Sequence, residues 1–244
     1  HALGGIGEKY YTNSLEAFEE NYKKGIRLFE IDLILTSDNV LVANHGWKNS
    51  KLNSLLQIER SDEEDEIPMS HEEFMSCRIY GKYTPLDIEG LADILNKYKD
   101  VYMVLDVKTG DHDVGHHMDV YREVVRQLRD LSPEGMDRLI PQLYAISMFD
   151  ELMESYPWKS MVYTWYLYDD SDMEFDEDEE LNLSEERGIK VMTMSRKRQN
   201  PEVLKKINDR DMVAYVFTVN DPEMAEQMRK DGVTGFYTDF GTEK

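Results

Sequence analysis

Met212-Val213-Ala214-Tyr215-Val216-Phe217-Thr218-Val219 leads through Asn220-Asp221-Pro222 and a helical pattern to Gly232-Val233-Thr234-Gly235-Phe236-Tyr237-Thr238. A short run rich in β-branched and aromatic residues reads as a strand. Proline after a capping aspartate opens a helix, and glycine closes one. Strand, helix and second strand make a parallel pair joined by a crossover.

The same unit recurs upstream. Strand patterns fall at 27–34, 101–107, 138–144, 160–166, 188–194, 212–219 and 234–238. Helical patterns fall at 14–24, 88–99, 114–131, 201–208 and 222–230. An eighth strand is expected to precede or include His1, because His1-Ala2-Leu3-Gly4-Gly5 reads as a strand end and loop. Eight parallel strands of this kind close into an α/β (β/α)8 TIM barrel, and 244 residues suit one such domain over 1–244. Val40-Leu41-Val42-Ala43-Asn44 is separate. Only Thr36-Ser37-Asp38-Asn39 divides it from strand two, too few residues for a crossover, so it should return as an antiparallel hairpin arm.

Composition narrows the function. Lys and Arg number 28 against 50 Asp and Glu, a net charge of −22 that argues against nucleic acid as a partner. Apolar blocks recur from end to end, which argues against disorder, and no run is long enough for a transmembrane segment. The single cysteine, Cys77, excludes an intrachain disulfide framework. Two acidic clusters, 62–66 and 169–180, read first as solvated loops, since like charges repel; they lack the glycine and spacing of a calcium loop.

Catalytic groups of such a barrel sit at the C-terminal strand ends. Glu30 and Asp32 are two apart on strand two and so point to one side of it; Asp106 and Lys108 repeat that spacing on the next. His1 follows the first strand, and His45 ends the arm. Glu30, Asp32 and Asp106 form a hard oxygen site suited to one divalent cation, Mg²⁺ or Ca²⁺, with Mn²⁺ also fitting. Two imidazoles beside it would serve as general acid and base, and Lys108 would hold an anionic oxygen. A Glu-x-Asp pair on a strand also occurs as a solvated face or ion pair. Here its neighbours Phe29, Ile31 and Leu33 are apolar, and inward carboxylates are costly unless matched. His1 also fits a tag remnant or frayed end. His71, His112, His116 and His117 lie in polar loops or helix starts and receive no role.

His1, Thr12-Asn13-Ser14-Leu15-Glu16-Ala17-Phe18, Phe29-Glu30-Ile31-Asp32-Leu33 and Leu41-Val42-Ala43-Asn44-His45 together resemble the glycerophosphodiester phosphodiesterase family. Phe217-Thr218-Val219-Asn220-Asp221 and Gly232-Val233-Thr234-Gly235-Phe236-Tyr237-Thr238-Asp239 are similar to its last two strands. The resemblance implies a TIM barrel and a metal-dependent phosphodiesterase with His1 and His45 as its histidines and Glu30 and Asp32 as its first metal carboxylates. Four departures stand out: Ala2-Leu3 for Arg-Gly, Gly46 for Asp, Asp106 for the Glu of a Glu-x-Lys motif, and Phe217 for Trp. His45-Gly46 and Asp106-Val107-Lys108-Thr109-Gly110 are similar to the spider-venom phospholipase D branch of the superfamily, which favours attack by a substrate hydroxyl and a cyclic phosphate product.

The substrate expected is a small-molecule or lipid-derived phosphodiester. His45 is expected to take the proton of the attacking hydroxyl and His1 to protonate the leaving alkoxide. Trp47, Tyr144, Trp165, Phe217 and Tyr237 fall at strand ends or in an adjoining loop, where they would wall the pocket or receive a choline head group; Tyr144 and Tyr237 read better as core. Ser195-Arg196-Lys197-Arg198 would attract an anionic substrate, or form a solvated loop neutralised by nearby acids. A carbohydrate-acting barrel with two carboxylates and no ion, and a catalytically inactive barrel that binds phosphodiesters, are the other classes. The family resemblance is in keeping with an extracytoplasmic or cell-envelope setting, and the abrupt opening at His1 fits the removal of a leader or anchor before it.

Overall fold

A computed structural model describes residues 1–110, 113–168 and 175–242, in two compact units, 1–139 and 140–244. In the first, helix α1 (Leu15–Lys23) leads into strand β1 (Leu28–Leu35), which turns back as β2 (Leu41–Ala43). Helices α2 (Asn49–Leu56), α3 (His71–Ser76) and α4 (Ile88–Lys97) carry the chain to β3 (Tyr102–Val107), and α5 (Val114–Leu128) and α6 (Pro133–Met136) follow. Side chains cap the starts: Ser14 accepts from the Ala17 amide and Asp87 from that of Gly90.

β1 is the centre of this unit. It pairs antiparallel with β2, Leu33 opposite Ala43, so the hairpin arm is as expected. It pairs parallel with β3, in a register that sets Glu30 beside Val104 and Asp32 beside Asp106. His1 and the residues up to β1 belong to none of these strands. The eight strands are therefore seven in parallel pairings and the arm; the first residues are spent on turns.

The segment between β2 and β3 carries its own core. Ile34, Val42, Leu52, Leu56, Phe74, Ile79 and Trp47 pack together there. Trp47 corrects one expectation: its ring is buried edge-on against Phe74, and its indole N–H donates to the Leu35 carbonyl at 3.1 Å. A ring so enclosed fills the core and receives no head group. The 62–66 cluster is exposed as expected, with Lys48 paired to Glu66 at 2.9 Å.

The second unit alternates β4 (Leu139–Leu143), α7 (Phe149–Ser155), β5 (Val162–Thr164), α8 (Glu177–Glu186), β6 (Val191–Ser195), α9 (Pro201–Asn208), β7 (Val213–Phe217), α10 (Pro222–Lys230) and β8 (Gly235–Phe236). Every neighbouring pair from β4 to β8 is parallel. The acidic stretch is another correction. Its residues 169–174 lie outside the described residues, as does His112, but the remainder opens α8. Asp176 caps that helix, and the acids of its first turn meet the positive end of the helix dipole; Lys206 pairs with Asp178 at 2.9 Å.

Gly235 faces the Tyr215 ring so closely that a Cβ would lie 2.3 Å from it. Gly235→Ala should therefore cost about 1–3 kcal/mol through forced repacking, read as a lower denaturant midpoint at unchanged slope.

Candidate active site

The β1–β3 register builds the site. Side chains two apart on a strand share a face, so Glu30 and Asp32 stand on one side of β1, and Asp106 joins them from β3. One oxygen from each of the three lies within 4.8 Å of the others. Glu30 and Asp32 are buried, and Asp106 is partly open. Lys108 reaches back along β3, its ammonium 2.6 Å from Asp106 Oδ2 and 3.1 Å from Asp32 Oδ1.

The turn after His1 brings the first residues onto β1. Ala2, Leu3 and Gly4 all adopt left-handed φ values, 48°, 63° and 91°. In that turn the Ala2 amide donates to Glu30 Oε2 at 2.5 Å and the Leu3 amide to the Glu30 carbonyl at 2.9 Å. Gly4 is required on spatial grounds too, since a Cβ there would lie 2.3 Å from Asn21 Nδ2. Asn21 holds the turn by donating to the Gly5 carbonyl at 2.9 Å.

Two residues of the site were assigned no role from the sequence. Asn13 matches Asp32 at both ends: its amide nitrogen donates to Asp32 Oδ2 at 2.8 Å, and its oxygen accepts the Asp32 amide at 3.1 Å. Asn13 tolerates the left-handed φ of 46° that this grip needs. Tyr11 stands between the two histidines. Its ring lies 4.5 Å from that of His1 and 5.0 Å from that of His45, edge-on to both. The asparagine stands in one of the stretches that carry the family resemblance; the tyrosine could be found only through the fold.

The electrostatics suit a cation. Burial, reinforced by Asp32, pushes the Glu30 carboxyl up to about 8. Burial opposes ionisation of Asp32 too, but Lys108, His45 and His1 outweigh it and hold this carboxyl below its ordinary range. Lys108 is partly buried, which opposes its charge, yet Asp106, Asp32 and Glu30 hold its ammonium well above the usual lysine value. Burial lowers His45 below an ordinary histidine, against the pull of Asp32. Glu30 Oε1 is buried with no hydrogen-bond partner. An orphaned buried carboxyl oxygen within reach of two further carboxylates is costly alone and would be satisfied by a divalent ion that displaces the carboxyl proton. The donor set fits one such cation.

The remaining expected contacts lie in the second unit. Trp165 is fully buried, 5.1 Å edge-on from Phe175, and its indole N–H has no acceptor; a buried ring packs and does not form an open wall. Phe217 is half-buried, 6.1 Å from the Tyr237 ring. Arg196 is exposed, whereas Arg198 donates to the Tyr168 carbonyl at 2.8 Å and stacks on Phe175. Tyr144 and Tyr237 are buried, in keeping with core roles.

Residues 5–242 match the Glycerophosphoryl diester phosphodiesterase family. No curated protein matches the sequence significantly. Among solved structures, a glycerophosphodiester phosphodiesterase from Parabacteroides distasonis is similar at 20% identity and a TM-score of 0.70, over 93% of this chain and 85% of that one. A glycerophosphodiester phosphodiesterase from Thermotoga maritima is similar at 20% identity and a TM-score of 0.64, over 96% and 91%. A phosphodiesterase from Oleispira antarctica, solved with its product sn-glycerol-3-phosphate, is similar at 13% identity and a TM-score of 0.70, over 94% and 88%. At these identities the likeness shows the fold, which is the TIM-like α/β fold of those proteins. No helix among the described residues is long and apolar enough to cross a membrane.

Proposed function

The chain belongs to the glycerophosphoryl diester phosphodiesterase family, and on that footing we propose that it cleaves a glycerophosphodiester to glycerol phosphate and an alcohol. In this reading Glu30, Asp32 and Asp106 hold one divalent cation, and His1 and His45 move the protons. The observation that carries it is the orphaned Glu30 oxygen among converging carboxylates. A bound ion of this kind supplies a Lewis acid that polarises the phosphoryl group and offsets its charge.

The chain's own residues do the rest. His45, held below the ordinary histidine value by burial, is neutral near neutral pH and accepts the proton of the attacking hydroxyl. The bond from phosphorus to the leaving oxygen breaks, and His1 gives that oxygen its proton, releasing the alcohol. If the attacker is the substrate's 2-hydroxyl, the product is a cyclic phosphate. Water then opens it with the roles exchanged: His1 takes the water proton, and His45 returns its own to the ring oxygen. Lys108 pairs with Asp106 and Asp32, favours the ionised form of Asp32, and offers a donor to an anionic oxygen. The sn-glycerol-3-phosphate of the Oleispira antarctica protein supports glycerol phosphate as the product here.

A phospholipase D-like reaction on lysophospholipid or sphingolipid head groups is the second reading. Gly46 after His45 and Asp106 with Lys108-Thr109-Gly110 favour it. One experiment tests both: turnover of glycerophosphocholine, glycerophosphoinositol and lysophosphatidylcholine with Mg²⁺, Ca²⁺ or Mn²⁺ and with EDTA, products resolved by phosphorus NMR. Chelator-sensitive turnover is expected. An open monoester supports the first reading and an accumulating cyclic phosphate the second; chelator-insensitive turnover overturns both. The rate should rise with pH through a value below that of an ordinary histidine, because His45 must be neutral to act as base.

A further inference from the structure

Lys51, in the first turn of α2, is exposed, and no carboxylate among the described residues lies within ion-pair distance of it. Nearby cations are already engaged: Lys48 holds Glu66, and Lys108 lies between Asp106 and Asp32. The Lys51 ammonium stands 5.9 Å from the centre of the Tyr11 ring, the same ring that meets both histidines edge-on. Burial chiefly depresses His45, and Lys51 adds to that effect, which places its charge within electrostatic reach of the imidazole.

An unmatched cation at this place, in a chain of net charge −22, has consequences for what approaches the histidines. The carboxylates, with the ion they would hold, would serve the phosphate that reacts; Lys51 is available to a second negative group on the same molecule. It also disfavours the opposite kind of head group. A quaternary ammonium seeks an aromatic face, but the Tyr11 face is approached by the protein's own cation and Trp47 is enclosed in the core.

We infer that Lys51 selects substrates whose head group carries its own negative charge, a further phosphate or a carboxylate, over those with a cationic head group. The inference rests on the phosphodiesterase reading above. Its test compares glycerophosphoinositol 4-phosphate with glycerophosphocholine in the wild type, Lys51→Gln, Lys51→Glu and Lys51→Arg. Lys51→Gln should lower kcat/KM for the phosphorylated head group about tenfold through KM. Lys51→Glu should lower it further, and Lys51→Arg should restore most of it. Lys23→Ala, which removes an exposed lysine on α1, serves as the charge control and should leave the ratio unchanged. A fall of equal size for both substrates, or no fall, overturns the inference. Equilibrium binding of glycerol 3-phosphate and glycerol 1,3-bisphosphate separates this from failure of the parent reading. Should the wild type cleave neither diester yet bind the bisphosphate more tightly, with the excess lost in Lys51→Glu, the enzymatic reading falls and the Lys51 site stands. Equal binding in both proteins would overturn it.

Discussion

His45→Ala is expected to lower kcat by about three orders of magnitude, with the melting temperature nearly unchanged. His45 follows the short strand β2, is only part-buried, and lies outside the apolar cluster between β2 and β3, so its loss removes chemistry and leaves that packing alone. His1→Ala should have a comparable effect on an unactivated diester, because its backbone, not its ring, makes the turn contact with Gly4. The two variants differ in one respect. A substrate with a nitrophenolate leaving group needs no proton at departure, so it should recover turnover in His1→Ala but not in His45→Ala. Recovery in the reverse order would exchange their roles, and full turnover in both would remove the histidines from the mechanism.

Divalent cations are the second large effect. At a hundred times its dissociation constant, a cation binding only the native state adds about 2.7 kcal/mol of stability, visible as a higher Tm with Mg²⁺, Ca²⁺ or Mn²⁺. Asp32→Asn should abolish this rise and cut kcat/KM by at least about a hundredfold, since the amide keeps the shape while losing the anionic oxygen. The pH dependence has a fixed sign. Without an ion, Glu30 stays protonated in the folded protein up to about 8, while in the unfolded chain it ionises near its ordinary 4.5. The native state therefore binds more protons across that window, so this group's contribution to stability falls as pH rises through it. A cation must displace that proton, and its affinity should increase over the same interval. Isothermal titration across the window measures both; an affinity independent of pH would exclude Glu30 as a ligand.

Much of this was legible because it depends on local pattern. Alternation of apolar runs with capped helices gave the α/β class, and Thr36-Ser37-Asp38-Asn39 was too short for anything but a returning arm. The spacing of Glu30 with Asp32, and of Asp106 with Lys108, was enough to put them on shared faces. Other features depend on tertiary placement. Asn13 and Tyr11 enter the site through left-handed backbone in a loop, which periodicity does not encode. Trp47 looked like a pocket wall because it adjoins His45, yet the helices between β2 and β3 close over it. α3 was signalled by Ser70 and Glu73, which form a capping box, but its apolar stripe is too brief to register as helical. The acids 176–180 appeared repulsive, whereas a helix start and Lys206 accommodate them.

The pairing of β1 with β3 has a final consequence. Asp32 meets Asp106 only while Ile31 stays level with Leu105 and Leu33 with Val107. A slip of one residue would turn Glu30 and Asp32 to the opposite side together. Fully enclosed hydrocarbon side chains thus govern whether the enzyme can work at all, and a conservative trimming of Ile31 or Leu105 could silence it without altering a single polar atom. Loss of activity in such a protein need not trace to a charged residue.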